Sequence, residues 1–330
     1  MNMIRVATIG SGAIVKSILD GIARTDGIVC QAVYSRTEEK GRALANAYGV
    51  DTVYTDLEAM MADPEIDYVY VASPNSLHYT HTMLALQHGK HVLCEKPFSS
   101  NVAEAKEMIA LAQEKGLFLY EMVTIQYLPN FEALKAQLPR LGNIRLVLSS
   151  YSQYSSRYDK LLAGEVTNVF DPAYSGGCMQ DINYYNLHFV LSLFGKPEKT
   201  VYYSNQVGGI DTSGIAMLQY PGFVCMCSGS KQSEGDNFVQ IQGERGYLTV
   251  HGASNDIPSF TVHADGKEEH FALQPDGDRW YYEIQNLLPV LQKGDHAACM
   301  EKLKLSLLQV EQIEAMRKQE NIVFAADQKG

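Results

Sequence analysis

Through the first third of the chain, short apolar runs alternate with longer segments of helical period. Ile4–Ile9 reads as a buried strand and Ile14–Ala23 as a helix. Ile28–Tyr34 is a second strand, and Glu38–Tyr48 a helix that Gly49 stops. Tyr68–Ala72 is a strand, His78–His88 a helix with Gly89 as its stop, and His91–Cys94 another strand. Asn101 then caps a helix through Lys115, with Glu104 placed to complete a capping box, and Leu117–Glu121 closes the region as a strand. Strands alternating with helices imply right-handed crossovers and a doubly wound parallel sheet covered on both faces.

After Pro129 the period changes. Strand-like runs follow one another at Ile144–Tyr154, Lys199–Asn205, Gly214–Tyr220, Phe223–Ser230, Phe238–Gly243, Tyr247–Val250 and Phe260–His263. Pro221-Gly222 and Glu244-Arg245-Gly246 read as hairpin turns. Helical segments fall at Met179–Phe194, Arg279–Gln292 and Ala298–Gln319. The pattern divides the chain into an α/β domain over 1–122 and an α+β domain over 123–330, the latter built on a large, mostly antiparallel open sheet.

Composition narrows the partners. A net charge of −11 argues against general attraction to nucleic acid or to an anionic membrane surface. No apolar run approaches the roughly 20 residues of a membrane helix. The first strand begins almost at Met1, which leaves no room for a signal peptide. Six cysteines without a Cys-x-x-Cys pair read as reduced, buried thiols of a cytoplasmic protein, Cys225 and Cys227 sharing one strand face. His78, His81, His88 and His91 lack clustered thiolates or carboxylates, so no metal site is expected.

Three constellations carry chemistry. The first strand runs into Gly10-Ser11-Gly12-Ala13-Ile14-Val15 and then a helix. Two glycines allow a tight turn and close approach to a pyrophosphate, and the helix amino terminus supplies N–H groups and positive dipole, as in a Rossmann dinucleotide site. Val15 stands where a third glycine is usual. The second strand ends Tyr34-Ser35-Arg36 with no acid to bond ribose hydroxyls. A hydroxyl and a guanidinium suit a 2′-phosphate, which favours NADP. A solvated or adenine-stacking Arg36 would leave NAD equally acceptable. Second, Lys96 follows the strand His91–Cys94 and Glu95, and Pro97 stops that strand, holding the amine at the ligand-binding edge of the sheet. Third, Asp181, Tyr185 and His188 are spaced i, i+4, i+7 on one helix face behind Gly176-Gly177. An acid, a phenol and an imidazole on a buried helix must bond each other or a ligand. The residues fit both a structural network and a catalytic group.

Taken together, Gly10–Ile14, Ser73-Pro74-Asn75-Ser76-Leu77-His78, Gly89-Lys90-His91-Val92-Leu93-Cys94-Glu95-Lys96-Pro97 and Gly176-Gly177-Cys178-Met179-Gln180-Asp181 make the whole chain resemble the glucose–fructose oxidoreductase, inositol dehydrogenase and rhizopine-catabolism (Gfo/Idh/MocA) family. Phe170-Asp171-Pro172 is similar to its dihydrodiol and D-xylose dehydrogenase branch. The resemblance implies that Lys96 meets the substrate oxygen and the nicotinamide ribose, and that Glu95 bonds cofactor hydroxyls. Ser73, Pro74, Asn75 and His78 would line the cofactor site, Asp181 would orient substrate and lysine, and Tyr185 would occupy the proton-transfer position. His188 is a supporting residue or an alternate acid. The chain departs from the family where Asn183 replaces a usual glycine. Gln126 and Asn168 stand where the dihydrodiol branch commonly has arginine.

These readings lead to an NADP-preferring dehydrogenase or reductase, with NAD possible, acting on a secondary alcohol or carbonyl of a small-molecule sugar, polyol or cyclic diol. A homodimer or higher homo-oligomer through the second domain's sheet is expected, with no nucleic-acid or membrane partner. The rival is a non-enzymatic dinucleotide-sensing regulator of the same fold, against which Lys96, Asp181 and Tyr185 argue together. Tyr151 to Tyr158, with Arg157, reads either as a substrate loop or as a strand edge and surface loop.

Overall fold

The computed structural model describes residues 3–328, which fall into two compact units. The first is the chain up to Val123 together with Asp278–Leu307; the second is Thr124–Gly277 with the chain from Leu308 onward. The division after the first third falls where the period changes. A single cut into 1–122 and 123–330 does not describe the chain, however, because the segment 278–307 returns to the first unit.

The first unit holds β1 (Ile4–Ile9), α1 (Ala13–Ala23), β2 (Ile28–Tyr34), α2 (Glu38–Tyr48), β3 (Thr52–Tyr54), α3 (Leu57–Met61), β4 (Tyr68–Val71), α4 (His78–Gln87), β5 (His91–Glu95), α5 (Val102–Glu114) and β6 (Leu119–Met122). The strands pair in parallel in the order β3-β2-β1-β4-β5-β6. Every residue of β4 and of β6 is buried, as expected of parallel strands covered on both faces. β3 and α3, at three and five residues, are too short to show a period in the sequence. The order reverses between β1 and β4, where open α/β sheets bind ligands.

Close backbone approach brings the returning segment onto this unit. Gly21 of α1 lies against α10 (Arg279–Lys293), and a Cβ there would sit 3.0 Å from the Trp280 carbonyl oxygen and 3.1 Å from Ile284 Cγ1. Asp278 caps α10 by accepting from the N–H groups of Trp280 and Tyr281, and it pairs with Arg24 at 3.1 Å. The ligand edge is braced by His78, which is 1 % exposed. Its Nδ1 lies 2.8 Å from the Pro97 carbonyl and its Nε2 2.9 Å from that of Ser73, tying the turn after β5 to the turn after β4. Asn101 caps α5 by accepting from the Glu104 N–H, while the Glu104 carboxylate reaches back to the N–H of Ser100.

The second unit is an open sheet with helices on one face. It contains α6 (Pro129–Gln137), β7 (Ile144–Ser152), α7 (Ser156–Leu162), α8 (Cys178–Asp181), α9 (Asn183–Phe194), β8 (Lys199–Val207), β9 (Ile210–Tyr220), β10 (Phe223–Ser230), β11 (Phe238–Gly243), β12 (Gly246–His251), β13 (Phe260–Ala264) and β14 (Lys267–Phe271). α11 (His296–Gln319) begins in the first unit and ends in the second. The strand order is β14-β13-β12-β11-β7-β10-β9-β8, antiparallel apart from the parallel pair β7–β10. Cys225 and Cys227 of β10 are both buried, on the face that the helices cover.

The α8–α9 helix is set on this sheet by polar groups. Buried Asp211 of β9 accepts from the Met179 N–H at 2.7 Å and from the Tyr202 hydroxyl at 2.7 Å. It occupies the space a side chain at 177 would need: a Cβ on Gly177 would lie 2.1 Å from Asp211 Oδ1, and its φ is +106°. Gly176 packs equally hard, with its Cβ position 2.5 Å from the Val169 carbonyl oxygen. Asn183, where the family has glycine, is accommodated by a glycine on the facing strand: a Cβ on Gly229 would come within 2.8 Å of Asn183 Cβ. Its amide donates to the Cys227 carbonyl and accepts from Asn186. Asn186 also donates to the Ser228 carbonyl and accepts from the Ser149 and Ser254 hydroxyls.

Two measurements test this bracing. Gly177→Ala should lower stability in urea by about 3 kcal/mol, from backbone strain plus the clash with Asp211, against about 1 kcal/mol for Gly49→Ala, whose φ of +66° faces open space. Equal losses would show that backbone conformation alone demands glycine at 177. For His78, burial holds the imidazole down at about 4, against an ordinary 6.5, with the two carbonyls opposing more weakly. The unfolded chain therefore takes up this proton first as pH falls. Its contribution is lost through the window from 6.5 towards 4, amounting to about 2 kcal/mol between pH 7 and pH 5. His78→Gln should flatten the pH dependence of unfolding by that amount, and identical slopes would refute the assignment.

Candidate functional site

At the ligand edge of the first sheet, Gly10 has φ +121°, and a Cβ there would lie 2.6 Å from the carbonyl oxygen of Ala72. The turns after β1 and β4 are thus pressed backbone to backbone, which only glycine permits. Val15 is fully buried, and its Cγ2 lies 3.4 Å from that Cβ position, so a valine fills the place of the third glycine without opening the packing. Gly12 is the extended N-cap residue of α1; it offers no side chain to the first turn, and that turn carries no acid. A Cβ at Gly12 would meet nothing within 4 Å. Uncapped N–H groups therefore face open space at a helix amino terminus, which fits a pyrophosphate. Gly10, Ser11, Gly12, Ala13 and Ile14 form this cradle.

The neighbouring strand ends contribute the rest. Ser35 is buried, with its N–H on the Tyr54 carbonyl at 3.0 Å, while Arg36 is exposed beside it. Ser73 Oγ lies 3.0 Å from His81 Nδ1, and Pro74 leads into a short 3-10 turn over Asn75–Leu77. His78 sits behind this turn, joining it to the turn that bears Lys96, rather than on its open side. Glu95 is also set back. The Tyr70 hydroxyl donates to its Oε1 at 2.7 Å and the Lys96 N–H to its Oε2 at 3.2 Å. Burial pushes its carboxyl up, opposed by Tyr70 and Lys96. A second buried acid, Glu283 of α10, is driven well up by burial and then by Glu95. Lys96 is half-buried, and the Lys96–Pro97 peptide is cis.

In the second unit, exposure decreases along the helical stripe. The Asp181 side chain is 34 % exposed, Tyr185 is 9 % exposed and His188 is fully buried. Asp181 Oδ2 is engaged by the ammonium of Lys231, a residue just beyond β10 whose side chain is 5 % exposed. The Tyr185 ring lies 6.4 Å from that of Tyr151, which in turn joins Gln153 and Asn255 through its hydroxyl. His188 is held at both nitrogens. Gln309 donates its amide N–H to the Tyr184 carbonyl at 2.9 Å, which leaves its oxygen to accept from His188 Nδ1 at 2.6 Å. His188 Nε2 then accepts from the amide of Gln126 at 3.1 Å. Gln126, standing in place of an arginine, is thus part of the histidine's support. Beyond Tyr151, the aromatic run turns into α7, with Tyr154 bonded to Asp159 and Arg157 exposed.

The structure therefore gathers Gly10–Ile14, Ser35, Arg36, Ser73, Pro74, Asn75, Glu95 and Lys96 on one sheet edge of the first unit. In the second it gathers Asp181 at the end of α8 with Tyr185 and His188 on α9, the single helix expected over Met179–Phe194 being interrupted at Ile182. Lys231, Asp211 and Gln309 are the site residues that sequence reasoning missed. Lys231 had a signal: the buried face of β10 runs Cys225, Cys227, Gly229, and period two carries it on to 231. Asp211 had none, because Ile210–Ser213 are buried without alternation.

Comparison with known proteins supports the resemblance. The family description "Oxidoreductase family, NAD-binding Rossmann fold" matches residues 4–122, and "GFO/IDH/MocA C-terminal domain" matches residues 136–249. The scyllo-inositol 2-dehydrogenase (NADP(+)) IolU of Bacillus subtilis (strain 168) is 35% identical over 327 residues, covering 99% of this chain and 100% of the relative. A trans-1,2-dihydrobenzene-1,2-diol dehydrogenase of Bos taurus is 31% identical over 320 residues, covering 90% of each chain. In fold, the chain matches the crystal structure of KijD10, a 3-ketoreductase from Actinomadura kijaniata in complex with NADP and TDP-benzene. That match has a TM-score of 0.82 at 22% identity and covers 96% of this chain and 98% of that one. With both domains matched and relatives aligned along nearly its whole length, the chain belongs to the GFO/IDH/MocA family of oxidoreductases, whose first domain is an NAD-binding Rossmann fold.

Proposed function

We propose that the protein is an NADP-preferring dehydrogenase or reductase that interconverts a secondary alcohol and a carbonyl on a polyol, sugar or cyclic diol. The observation that carries this is the stripe along α8 and α9, where a carboxylate held by an ammonium ends the first helix and a nearly buried phenol stands in the first turn of the second. When bound, the nicotinamide accepts or supplies the hydride. Tyr185 carries the hydroxyl proton. Lys96, at the cofactor edge of the first unit, supplies the positive charge that stabilises an alkoxide. Asp181 accepts a hydrogen bond from a neighbouring substrate hydroxyl. His188, engaged at both nitrogens, positions the helix rather than transferring the proton. The preference for NADP rests on Ser35 and exposed Arg36 at the end of β2, where a 2′-phosphate would lie. The relative named as an NADP(+)-dependent scyllo-inositol dehydrogenase and the dihydrodiol dehydrogenases support both the cofactor and the substrate class.

A panel of inositols, other polyols, sugars and trans-diols, assayed with both cofactors, tests this reading. Turnover with at least one polyol or diol, faster with the phosphorylated cofactor, is expected, and Arg36→Ala should remove the cofactor difference. Tyr185→Phe should lower kcat by at least about 100-fold while NADPH affinity, followed by fluorescence, stays within a factor of two. Binding of both cofactors with no turnover anywhere on the panel would instead support a dinucleotide-sensing regulator.

The open face of the eight-stranded sheet exposes Tyr203, Ile215 and Val224 on adjacent strands β8, β9 and β10. An apolar face of this kind calls for cover, and a second copy of this chain is proposed to supply it in the cytoplasm, where the six free cysteines stay reduced. Sedimentation as a monomer at micromolar concentration would contradict the oligomer.

A further inference from the structure

Lys231 is a lysine where a lysine is expensive. Its side chain is 5 % exposed, and its ammonium is engaged by Asp181 with the Phe170 ring centroid 5.6 Å away. Burying an ammonium carries a desolvation penalty of several kcal/mol that one carboxylate only partly offsets, and apolar replacements of buried pairs are often as stable or more so. Stability alone therefore does not account for the pair. The backbone of Lys231 is pinned on both sides: its N–H donates to the Thr212 carbonyl at 2.8 Å, and its own carbonyl accepts from the Ser155 N–H at 3.0 Å. The lysine thus has little freedom to follow a moving partner. The partner it holds is the least buried member of the stripe, with a third of its side chain accessible. The two charges differ in what they present: the cation is enclosed and the carboxylate faces outward.

We infer that Lys231 is a positioning residue that fixes the Asp181 carboxylate in one orientation, and that this outward-facing, internally neutralised acid restricts the substrate to uncharged polyhydroxylic compounds. The inference rests on the alcohol-oxidoreductase reading above. A fixed carboxylate offers acceptor lone pairs to a substrate hydroxyl. It repels a sugar acid or sugar phosphate at the same place, because the balancing ammonium is shielded behind it.

The experiment uses the full-length enzyme with NADP and whichever inositol the wild type turns over best. No turnover of any polyol by the wild type would sink the underlying reading and this inference with it. Given wild-type turnover, Lys231→Met should raise KM at least tenfold with kcat changed less than threefold, and Lys231→Arg should restore KM to within threefold. A merely structural loss would instead lower kcat and thermal stability together, and arginine would rescue neither KM selectively nor the split. Should Lys231→Met fail to fold, Asp181→Asn/Lys231→Met, which leaves no unpaired charge, is compared with Asp181→Asn alone. Equal KM values are expected, and a further rise in the double variant would overturn the claim that Lys231 acts through Asp181. Gluconate serves as the anionic probe: its competitive inhibition, weak in the wild type, should tighten at least tenfold in Asp181→Asn, where the lysine charge is no longer balanced. Unchanged KM in Lys231→Met, or unchanged gluconate inhibition in Asp181→Asn, would overturn the inference.

Discussion

The second unit depends on how a buried carboxylate finds its donors. Asp211 takes the Met179 N–H and the Tyr202 hydroxyl, and by lying where a side chain at 177 would be, it fixes the point at which the chain enters α8. Everything the helix presents follows from that entry. Asp181 comes two residues after Met179, Tyr185 one turn later and His188 deeper still. The helix is then held along its length by Asn183 and Asn186 on β10 and by Gln126 and Gln309 around His188. Polar contacts have distance and direction, whereas apolar packing tolerates rearrangement. A helix that must place a carboxylate and a phenol to within a fraction of an ångström gains from the former kind of support.

The first unit reaches the same end through backbone proximity. Gly10 lets the first turn touch the carbonyl of Ala72, and His78 ties the fourth-strand turn to the turn after β5. The cofactor edge is thus several turns fastened to one another rather than a row of independent loops. Glu95, which accepts from the Lys96 N–H, and Glu283 both have their carboxyl groups pushed up by burial.

What the sequence made legible follows from the range of each signal. The strand–glycine–helix passage at Gly10–Ile14, the Lys96 strand end and most periodic elements are local patterns that the structure places within a residue or two of their expected bounds; β9 starts four residues before the expected Gly214, and the helix expected over Met179–Phe194 is interrupted at Ile182. β3 and α3 are too short to carry a period, and β14, Lys267–Phe271, is too polar to read as an apolar run. The return of 278–307 to the first unit is a long-range event, set by packing of α10 on Gly21 that no local pattern announces. Glu95 and His78 were legible as residues of the cofactor edge, but the hydrogen bonds by which each braces that edge were not. A sequence shows which side chains arrive at an edge but not which of their atoms are already taken. Lys231 was legible in principle, since continuing the alternation of β10 by one step puts a charge on the buried face. That is the sort of conflict between local pattern and residue type that marks a functional site.

Charge balance joins the departures from the family pattern to the chemistry. Arginines common at 126 and 168 in the dihydrodiol-like branch would add positive charge to this unit. Here Gln126 offers a neutral amide to His188, and Asn168 is an exposed amide. A guanidinium in place of Gln126 would bring a charge needing a counter-ion beside a fully buried imidazole, whereas the amide satisfies the ring without one. Lys231, the cation that engages Asp181, is enclosed and already matched by it. At positions 126 and 168 the unit thus presents amides rather than guanidinium groups. Amide and phenol groups are hydrogen-bond donors and acceptors of the kind that hydroxyl groups match, so the residues that depart from the branch pattern support the polyol reading proposed above.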